Sequence, residues 1–183
     1  MASPTLAPLF DFRDPARDGG FTPIGDAVMG GRSRGRAAVA RGVLRFEGEV
    51  SLEDGGGFAS IRSAPAPLDL SGAAGIALRV RGDGKRYRVG LRLDDTPDDA
   101  SWQAAFETAT GGWEVILLPL ALFGPVRRGR PAPELGPLRP DRVRTVGFVV
   151  GDRQAGPFAL EISAVAGWAP AAGAVALPRP AAP

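Results

Sequence analysis

Apolar and polar residues alternate with a period of two along most of the chain, which is typical of strands that bury one face. The clearest examples are residues 43–52, 76–81 and 86–93, where nearly every second residue is apolar. The same pattern predicts further strands at residues 57–63, 102–108, 113–118, 143–150 and 158–165, and weaker ones near residues 9–12 and 33–40. We therefore predict about nine or ten strands and no amphipathic helix longer than about two turns.

Glycine and proline fill most of the gaps between these segments, with 26 Gly and 18 Pro in 183 residues. This punctuation favours short strands joined by tight turns over long helices, whose interiors tolerate neither residue. Residues 82–85, which read Gly-Asp-Gly-Lys, predict a hairpin between the segments at 76–81 and 86–93. We predict an all-β fold, a two-sheet antiparallel β-sandwich of the jelly-roll, galactose-binding-domain-like type.

The chain length fits one domain. We predict an N-terminal extension at residues 1–8, the sandwich domain at 9–168 and a flexible Ala/Pro-rich tail at 169–183. Residues 124–140 are expected to wrap an edge or end of the sandwich, with a helical turn near 120–123. The first ten residues show no secretory pattern, and no window reaches the roughly 18 apolar residues of a membrane span, so we expect a cytoplasmic protein, with any membrane attachment made through a partner.

The amino-acid composition excludes several kinds of site and mechanism. The chain has no histidine and no cysteine, which excludes disulfides, thiolate or imidazole metal sites and every histidine-dependent catalytic mechanism. The formal net charge is only +2, and cations and carboxylates are interspersed, so a nucleic-acid footprint is not expected. We therefore predict no catalytic residues, no cofactor and no enzymatic activity.

Arginines occupy the polar face of the segments at 76–81 and 86–93. In the predicted hairpin they would form one surface, with Gln103 and Glu107 beside it. Such a face is either solvated or a planar hydrogen-bonding surface for carboxylates, sugar hydroxyls or a partner protein. The arginines concerned are Arg79, Arg81, Arg86, Arg88 and Arg92.

Residues 94–99 hold the only dense group of carboxylates, Asp94, Asp95, Asp98 and Asp99. Hard oxygen ligands of this kind suit Ca²⁺, although the spacing is not that of an EF-hand, and a solvated loop is the competing interpretation. We otherwise predict no metal site.

Three aromatic residues, Trp102, Phe106 and Trp113, have two possible roles. Exposed on a sheet they would stack on sugar rings, but Trp102 and Phe106 share an apolar face, which favours the core.

Several short motifs share an order along the chain. They are Asp26-x-Val28-Met29-Gly30-Gly31-x-Ser33, Gly56-Gly57-Phe58-Ala59-Ser60-x-Arg62, Arg81-Gly82-Asp83-Gly84-x-Arg86-Tyr87, Arg128-Gly129-Arg130 and Asp152-Arg153-Gln154-x-Gly156-Pro157-Phe158. Together they resemble the complex I intermediate-associated protein 30 family, and the resemblance extends from about Phe10 to Val165.

The resemblance implies a galactose-binding-like jelly roll and a chaperone role in the assembly of respiratory complex I or another protein complex, here in a bacterial member. It implies a protein partner, such as a subunit or assembly factor of a respiratory complex, and brings no catalytic residues. A carbohydrate-binding module of the galactose-binding-like type is the alternative. From the motifs and the arginine face, the binding candidates are Asp26, Met29, Ser33, Arg62, Arg79, Arg81, Asp83, Arg86, Arg88, Arg92, Gln103, Arg128, Arg130, Asp152 and Arg153.

Overall fold

A computed structural model of the chain describes residues 4–25 and 31–171, and these form thirteen strands and four short 3-10 turns. No helix in these two ranges is long and apolar enough to cross a membrane. The strands are β1 Thr5–Pro8, β2 Thr22–Gly25, β3 Arg34–Ala40, β4 Val43–Val50, β5 Ala59–Arg62, β6 Gly75–Arg81, β7 Arg86–Leu93, β8 Ala100–Glu107, β9 Glu114–Pro119, β10 Gly124–Arg127, β11 Arg130–Pro131, β12 Val143–Val150 and β13 Gly156–Ala169. The 3-10 turns are Glu53–Gly55, Leu120–Leu122, Pro133–Leu135 and Pro140–Arg142.

The strands form two antiparallel sheets. Sheet I has the order β3-β4-β13-β6-β9, and β1 pairs with the C-terminal end of β13. Sheet II has the order β11-β10-β8-β7-β12-β5-β2. The predicted all-β, two-sheet antiparallel sandwich is confirmed.

The core lies between the sheets and is built from the apolar half of the alternating pattern. Phe46 and Leu160 of sheet I and Val89 and Phe148 of sheet II have no solvent exposure. Trp102 is also buried, and the indole nitrogen donates to the carbonyl oxygen of Gly136 at 3.0 Å. Phe106 is buried as well, with 5% of its surface exposed. The core interpretation of these two aromatics is therefore correct.

The strand predicted at residues 9–12 is wrong. Phe10 and Phe12 are buried at alternate positions, but they belong to a loop that follows β1 and pack against Phe21, with ring centroids 5.2 and 6.2 Å from it. Alternate burial alone does not require a partner strand. The strand lies earlier, at Thr5–Pro8, within the segment that we predicted to be an extension, and it pairs with residues 166–169 of β13.

The hairpin predicted across residues 82–85 is also wrong, because β6 belongs to sheet I and β7 to sheet II. The connection passes from one sheet to the other and is held by Thr108, which accepts a hydrogen bond from the Gly84 amide at 3.2 Å and donates to the Lys85 carbonyl at 2.8 Å. The glycines permit a tight turn, but long-range pairing with β13 and β12 decides which sheet each strand joins.

Candidate functional site: a trough across sheet II

A row of four residues crosses the outer face of sheet II and has no side chain at its centre. Gly90 of β7 lies opposite Gly147 of β12, and both sit at paired positions of neighbouring strands. Gln103 of β8 continues the row beyond Gly90, and Arg62 of β5 continues it beyond Gly147. Since neighbouring strands lie about 4.8 Å apart, the row spans about 14 Å from Gln103 to Arg62. Its floor is bare backbone between two polar side chains.

Side chains two residues away on the same strands rise on both sides of this floor, because residues i and i+2 point to one face. Val149 and Arg88 are paired on one side, and Thr145 and Arg92 on the other. We call the resulting depression the trough. A cavity of about 540 Å³ occupies the trough, and a second cavity of about 670 Å³ adjoins it. Both cavities are lined by Arg62, Arg92 and Thr145. Loop residues that complete the walls include Phe58, Asp98, Arg128 and Asp152.

Arg88 on one wall is held by the turn that precedes β13. Its guanidinium pairs with the carboxylate of Asp152, which adopts a left-handed backbone conformation with φ 56°. Gln154 fixes this turn to β7, since its side chain accepts from the Arg86 amide at 2.9 Å and donates to the Arg86 carbonyl at 2.8 Å. The charge of Arg88 is thus already neutralised within the protein.

Arg92 on the opposite wall binds the backbone of residues 94–99, which we call the aspartate loop. It is 8% exposed and donates to the carbonyl oxygens of Asp98 at 2.6 Å and Pro97 at 2.8 Å. Burial, and then the neighbouring Arg62 charge, lower the pKa of Arg92. Arg92 is therefore a structural residue of the wall, and both of its terminal nitrogens donate hydrogen bonds within the protein.

The four aspartates of that loop all have arginine partners. Asp94 pairs with Arg142 at 2.6 Å, Asp95 with Arg139 at 2.6 Å, Asp99 with Arg128 at 2.9 Å and Asp98 with Arg92 at 3.4 Å. The hydrogen bond from Arg139 lowers the pKa of Asp95. Across residues 4–25 and 31–171, no group of three or more Asp, Glu, His or Cys side chains could hold a metal ion. Each of the carboxylates considered for calcium thus forms an ion pair with an arginine.

Arg62 differs from the other arginines of the trough. It is half-buried, and its guanidinium has no hydrogen bond or ion pair with any residue that the structure describes. Burial lowers the pKa of Arg62, and the charge of Asp98 opposes this shift only in part. Two further polar atoms of the trough, Oγ1 of Thr145 and Oε1 of Gln103, are buried and also lack a partner among the described residues. Among the described residues, the trough therefore contains one unpaired guanidinium and two buried polar atoms that lack a partner.

The sequence profile of complex I intermediate-associated protein 30, abbreviated CIA30, matches residues 10–162. The chain belongs to the CIA30 family. That range contains all the strands of sheet II and therefore the whole floor of the trough.

Two curated CIA30 proteins are similar to the chain. The mitochondrial protein of Mus musculus is 35% identical over 91 residues, which is 48% of this chain and 28% of the mouse protein. The mitochondrial protein of Neurospora crassa is 31% identical over 134 residues, which is 63% of this chain and 48% of the fungal protein. The chain thus spans less than half the length of either relative.

Solved structures of carbohydrate-active proteins share the fold of this CIA30 domain. A family 11 carbohydrate-binding module from a cellulosomal cellulase of Clostridium thermocellum superposes with a TM-score of 0.66 at 13% identity, over 92% of this chain and 97% of the module. An agarase superposes with a TM-score of 0.63 at 13% identity, over 91% of this chain and 25% of the enzyme. At such identities the likeness concerns the fold alone, and it agrees with the predicted galactose-binding-like sandwich.

The structure divides the predicted arginine face of the CIA30 domain between opposite sides of the sandwich. Arg79 and Arg81 lie on the outer face of sheet I, with their guanidinium carbons 4.7 and 5.2 Å from the ring centroid of Trp113. Arg81 also pairs with Glu161. The prediction of one continuous face was wrong because it depended on the hairpin, and only Arg86, Arg88 and Arg92 lie on sheet II.

Two residues carried over from the CIA30 resemblance have structural roles. Asp83 accepts hydrogen bonds from the Tyr87 hydroxyl at 3.1 Å and the Ala159 amide at 2.9 Å. Ser33 is 6% exposed and joins the start of β3 to the end of β4, because its hydroxyl accepts from the Ser51 amide at 3.0 Å. Both residues stabilise the backbone near the ends of strands and lie outside the trough.

The remaining predicted residues are distributed as follows. Arg62, Arg88, Arg92, Gln103, Arg128 and Asp152 line the trough, as do Asp98 and Asp99. Arg86 lies at the rim, 3.6 Å from Glu107 and 3.9 Å from Asp152. Arg130 and Arg153 are exposed and do not line the trough. Asp26 and Met29 lie outside the described residues.

Sequence reasoning missed the floor of the trough and its buried hydroxyl. A glycine inside a strand weakens the strand and often marks a place where a ligand approaches the backbone. Gly90 carried that signal, since it interrupts the row of Arg86, Arg88 and Arg92, and Gly147 carried it as a glycine inside the strand predicted at 143–150. Thr145 carried no comparable signal, because threonine is common in strands.

Proposed function

We propose that this CIA30 domain is a non-catalytic binding domain that assists the assembly of respiratory complex I or another protein complex, and that it holds a partner segment in the trough. The observation that carries the proposal is the family match over residues 10–162. The relatives' names refer to complex I intermediates. A trough with an unpaired guanidinium and two buried polar atoms that lack a described partner is a suitable place for a partner.

The chemistry available in the trough supports binding rather than catalysis. The chain has no histidine and no cysteine. The carboxylates of Asp98, Asp99 and Asp152 that line the trough each pair with an arginine. A general acid or base must be free to exchange a proton with a substrate, and ion-paired carboxylates serve that purpose poorly.

A deletion of the gene in its own host tests the proposal. We expect native gels of the deletion strain to show less mature complex I and an accumulated subassembly, and the wild-type gene to restore the complex. Gly90→Val, which places a side chain on the trough floor, should fail to restore it, whereas Arg79→Gln/Arg81→Gln on the opposite face should succeed. Normal levels of mature complex I and of other membrane complexes in the deletion strain would contradict the assembly role.

Carbohydrate binding is the second candidate function. One of the similar structures is a family 11 module in complex with a β-1,3-1,4-mixed-linked tetrasaccharide, at a TM-score of 0.64 and 14% identity. The trough is polar enough to hold sugar hydroxyls. However, Phe58 is the one aromatic residue among the described residues that line the two cavities, and sugar rings favour aromatic platforms. A glycan array tests this second candidate. Absence of binding to every glycan rejects carbohydrate binding, whereas binding that becomes weaker in Arg88→Gln supports it.

A further inference from the structure

Among the described charged side chains that line the 540 Å³ cavity, one positive charge is unpaired. Arg88 pairs with Asp152, Arg128 with Asp99 and Arg92 with Asp98. Arg62 has no such partner in the described part of the chain. It lies where the two cavities meet, since both are lined by it. One anionic group would therefore balance the charges of the described side chains that line the 540 Å³ cavity. A planar guanidinium binds a carboxylate through two parallel hydrogen bonds.

Thr145 supplies a second, independent indication that a ligand is missing. Its side chain is on the trough wall, 6% exposed, and its hydroxyl has no partner among the described residues. Arg62 is paired with Gly147, so Thr145 is a diagonal neighbour of Arg62 on the same face, at a separation of about 7–8 Å between backbones. Buried hydroxyls in folded proteins nearly always have a partner, and a ligand between these two side chains would provide one.

Gln103 marks the other end of the floor. Its Nε2 donates to the Ser101 hydroxyl at 2.9 Å, while its Oε1 is buried without a partner among the described residues. This end therefore needs a hydrogen-bond donor, whereas the Arg62 end needs an anion. The span of about 14 Å between them corresponds to about four residues of extended peptide. Bare backbone at Gly90 and Gly147 lets such a chain lie close to the sheet.

We propose that the trough binds an extended acidic segment of a partner polypeptide, with one Asp or Glu carboxylate on Arg62 and Thr145 and a backbone N–H directed to Oε1 of Gln103. A polypeptide offers both the anion and regularly spaced N–H donors. A neutral glycan supplies hydroxyls but leaves the charge of Arg62 unpaired. This inference depends on the proposed function for the class of partner.

Peptide pools and nitrogen-15-labelled full-length protein provide the test. The two pools are N-acetylated, C-amidated hexapeptides with random flanking residues, one with Glu and the other with Gln at a central position. We expect the Glu pool to shift the amide signals of Gly90 and Gly147 saturably, with an affinity about tenfold higher than that of the Gln pool. Arg62→Gln should abolish this preference, Arg62→Lys should keep part of it, and Arg79→Gln should keep all of it.

Equal binding of the two pools, or an unchanged preference in Arg62→Gln, would overturn the inference. Thr145→Val provides a second variant, expected to weaken binding of the Glu pool several-fold, in case Arg62→Gln does not fold. Trigalacturonate is a further test ligand because it carries carboxylates on a sugar chain. If it binds as tightly as the Glu pool, the assignment of the site to a peptide is overturned. If the Glu pool binds selectively but the deletion strain assembles its complexes normally, the assembly role alone is refuted. If the Glu pool does not bind selectively but assembly is impaired in the deletion strain, the acidic-segment site alone is refuted.

Discussion

The hydroxyl of Tyr87 donates a hydrogen bond to Oδ1 of Asp83, at 3.1 Å and four residues earlier in the chain. Tyr87 is fully buried at the start of β7, while Asp83 lies in the connection that passes from sheet I to sheet II. The other oxygen of Asp83 accepts from the Ala159 amide of β13 at 2.9 Å. One carboxylate thus links the crossing chain to both sheets.

This contact predicts a loss of stability at alkaline pH. Burial, followed by the Asp83 charge, raises the pKa of Tyr87 above its ordinary value. Because the folded-state pKa is the higher one, the stabilisation is fully present below the unfolded value of about 10 and declines as the pH rises above it. Tyr87→Phe should cost about 1.5–3 kcal/mol at pH 7, and this difference from wild type should shrink above pH 10.

Urea denaturation of both proteins between pH 7 and 11 measures the effect. Tyr87 is the only tyrosine in the chain, so the appearance of phenolate absorbance can be assigned to it directly. We expect that absorbance to appear together with unfolding. Ionisation near pH 10 in the folded protein would contradict a buried, carboxylate-bonded hydroxyl.

Neutralising Arg62 and neutralising Arg92 should have different effects on the free energy of unfolding. Arg62→Gln removes a half-buried charge that has no partner in the described residues, so the free energy of unfolding should stay within about 0.5 kcal/mol of wild type or rise. Arg92→Gln removes the donors that hold the carbonyls of Asp98 and Pro97 and should cost about 2–3 kcal/mol. Chemical denaturation compares the two; equal losses would argue against the different roles that we assign to these arginines.

The two glycines of the floor provide a second matched pair. A Cβ at Gly147 would lie 2.9 Å from the carbonyl oxygen of Ile61, so Gly147→Ala should destabilise the fold by about 1–3 kcal/mol. A Cβ at Gly90 would lie 3.7 Å from the Ser101 hydroxyl, an ordinary contact, so Gly90→Ala should be neutral or stabilising by up to about 1 kcal/mol. Thermal unfolding of both variants checks this order, and the reverse order would contradict the described register.

Neutralising the arginines of sheet I should leave ligand binding in the trough unchanged. Arg79→Gln/Arg81→Gln removes two cation-π contacts with Trp113 and the exposed Arg81–Glu161 pair, at a cost of about 1–2 kcal/mol in total. Titration of the double variant with the Glu peptide pool should give the wild-type affinity. A loss as large as that of Arg62→Gln would indicate that the outer face of sheet I takes part in binding.

Alternation predicted the strands well because burial of one face leaves a direct trace in the sequence. Residues 143–150 were predicted with the bounds that the structure shows, and residues 34–40 within one residue. The alternation of β6 and β7 was also recognised, but their pairing was not. A glycine-rich turn is compatible with a hairpin or with a crossing, and only contacts with strands distant in sequence decide between them.

The candidate site was less accessible to sequence reasoning. Arg62, Arg88 and Gln103 could be selected from motifs and alternation, yet nothing in the sequence separates a paired arginine from an unpaired one. Arg88 faces Asp152, 64 residues away, while Arg62 faces no described partner. The interior glycines were the one available signal of the floor.

Because the trough crosses the strands, each strand supplies one residue to every row of it. Inserting a single residue within β7 would turn Val89 or Leu91 outward and Gly90 inward from that point on, so floor and core would exchange places. We therefore expect the fold to tolerate length changes only in the loops beyond the strand ends, such as residues 94–99 and 151–155. The sheet sets the spacing of residues along the trough floor, while the loops supply the side chains that border it.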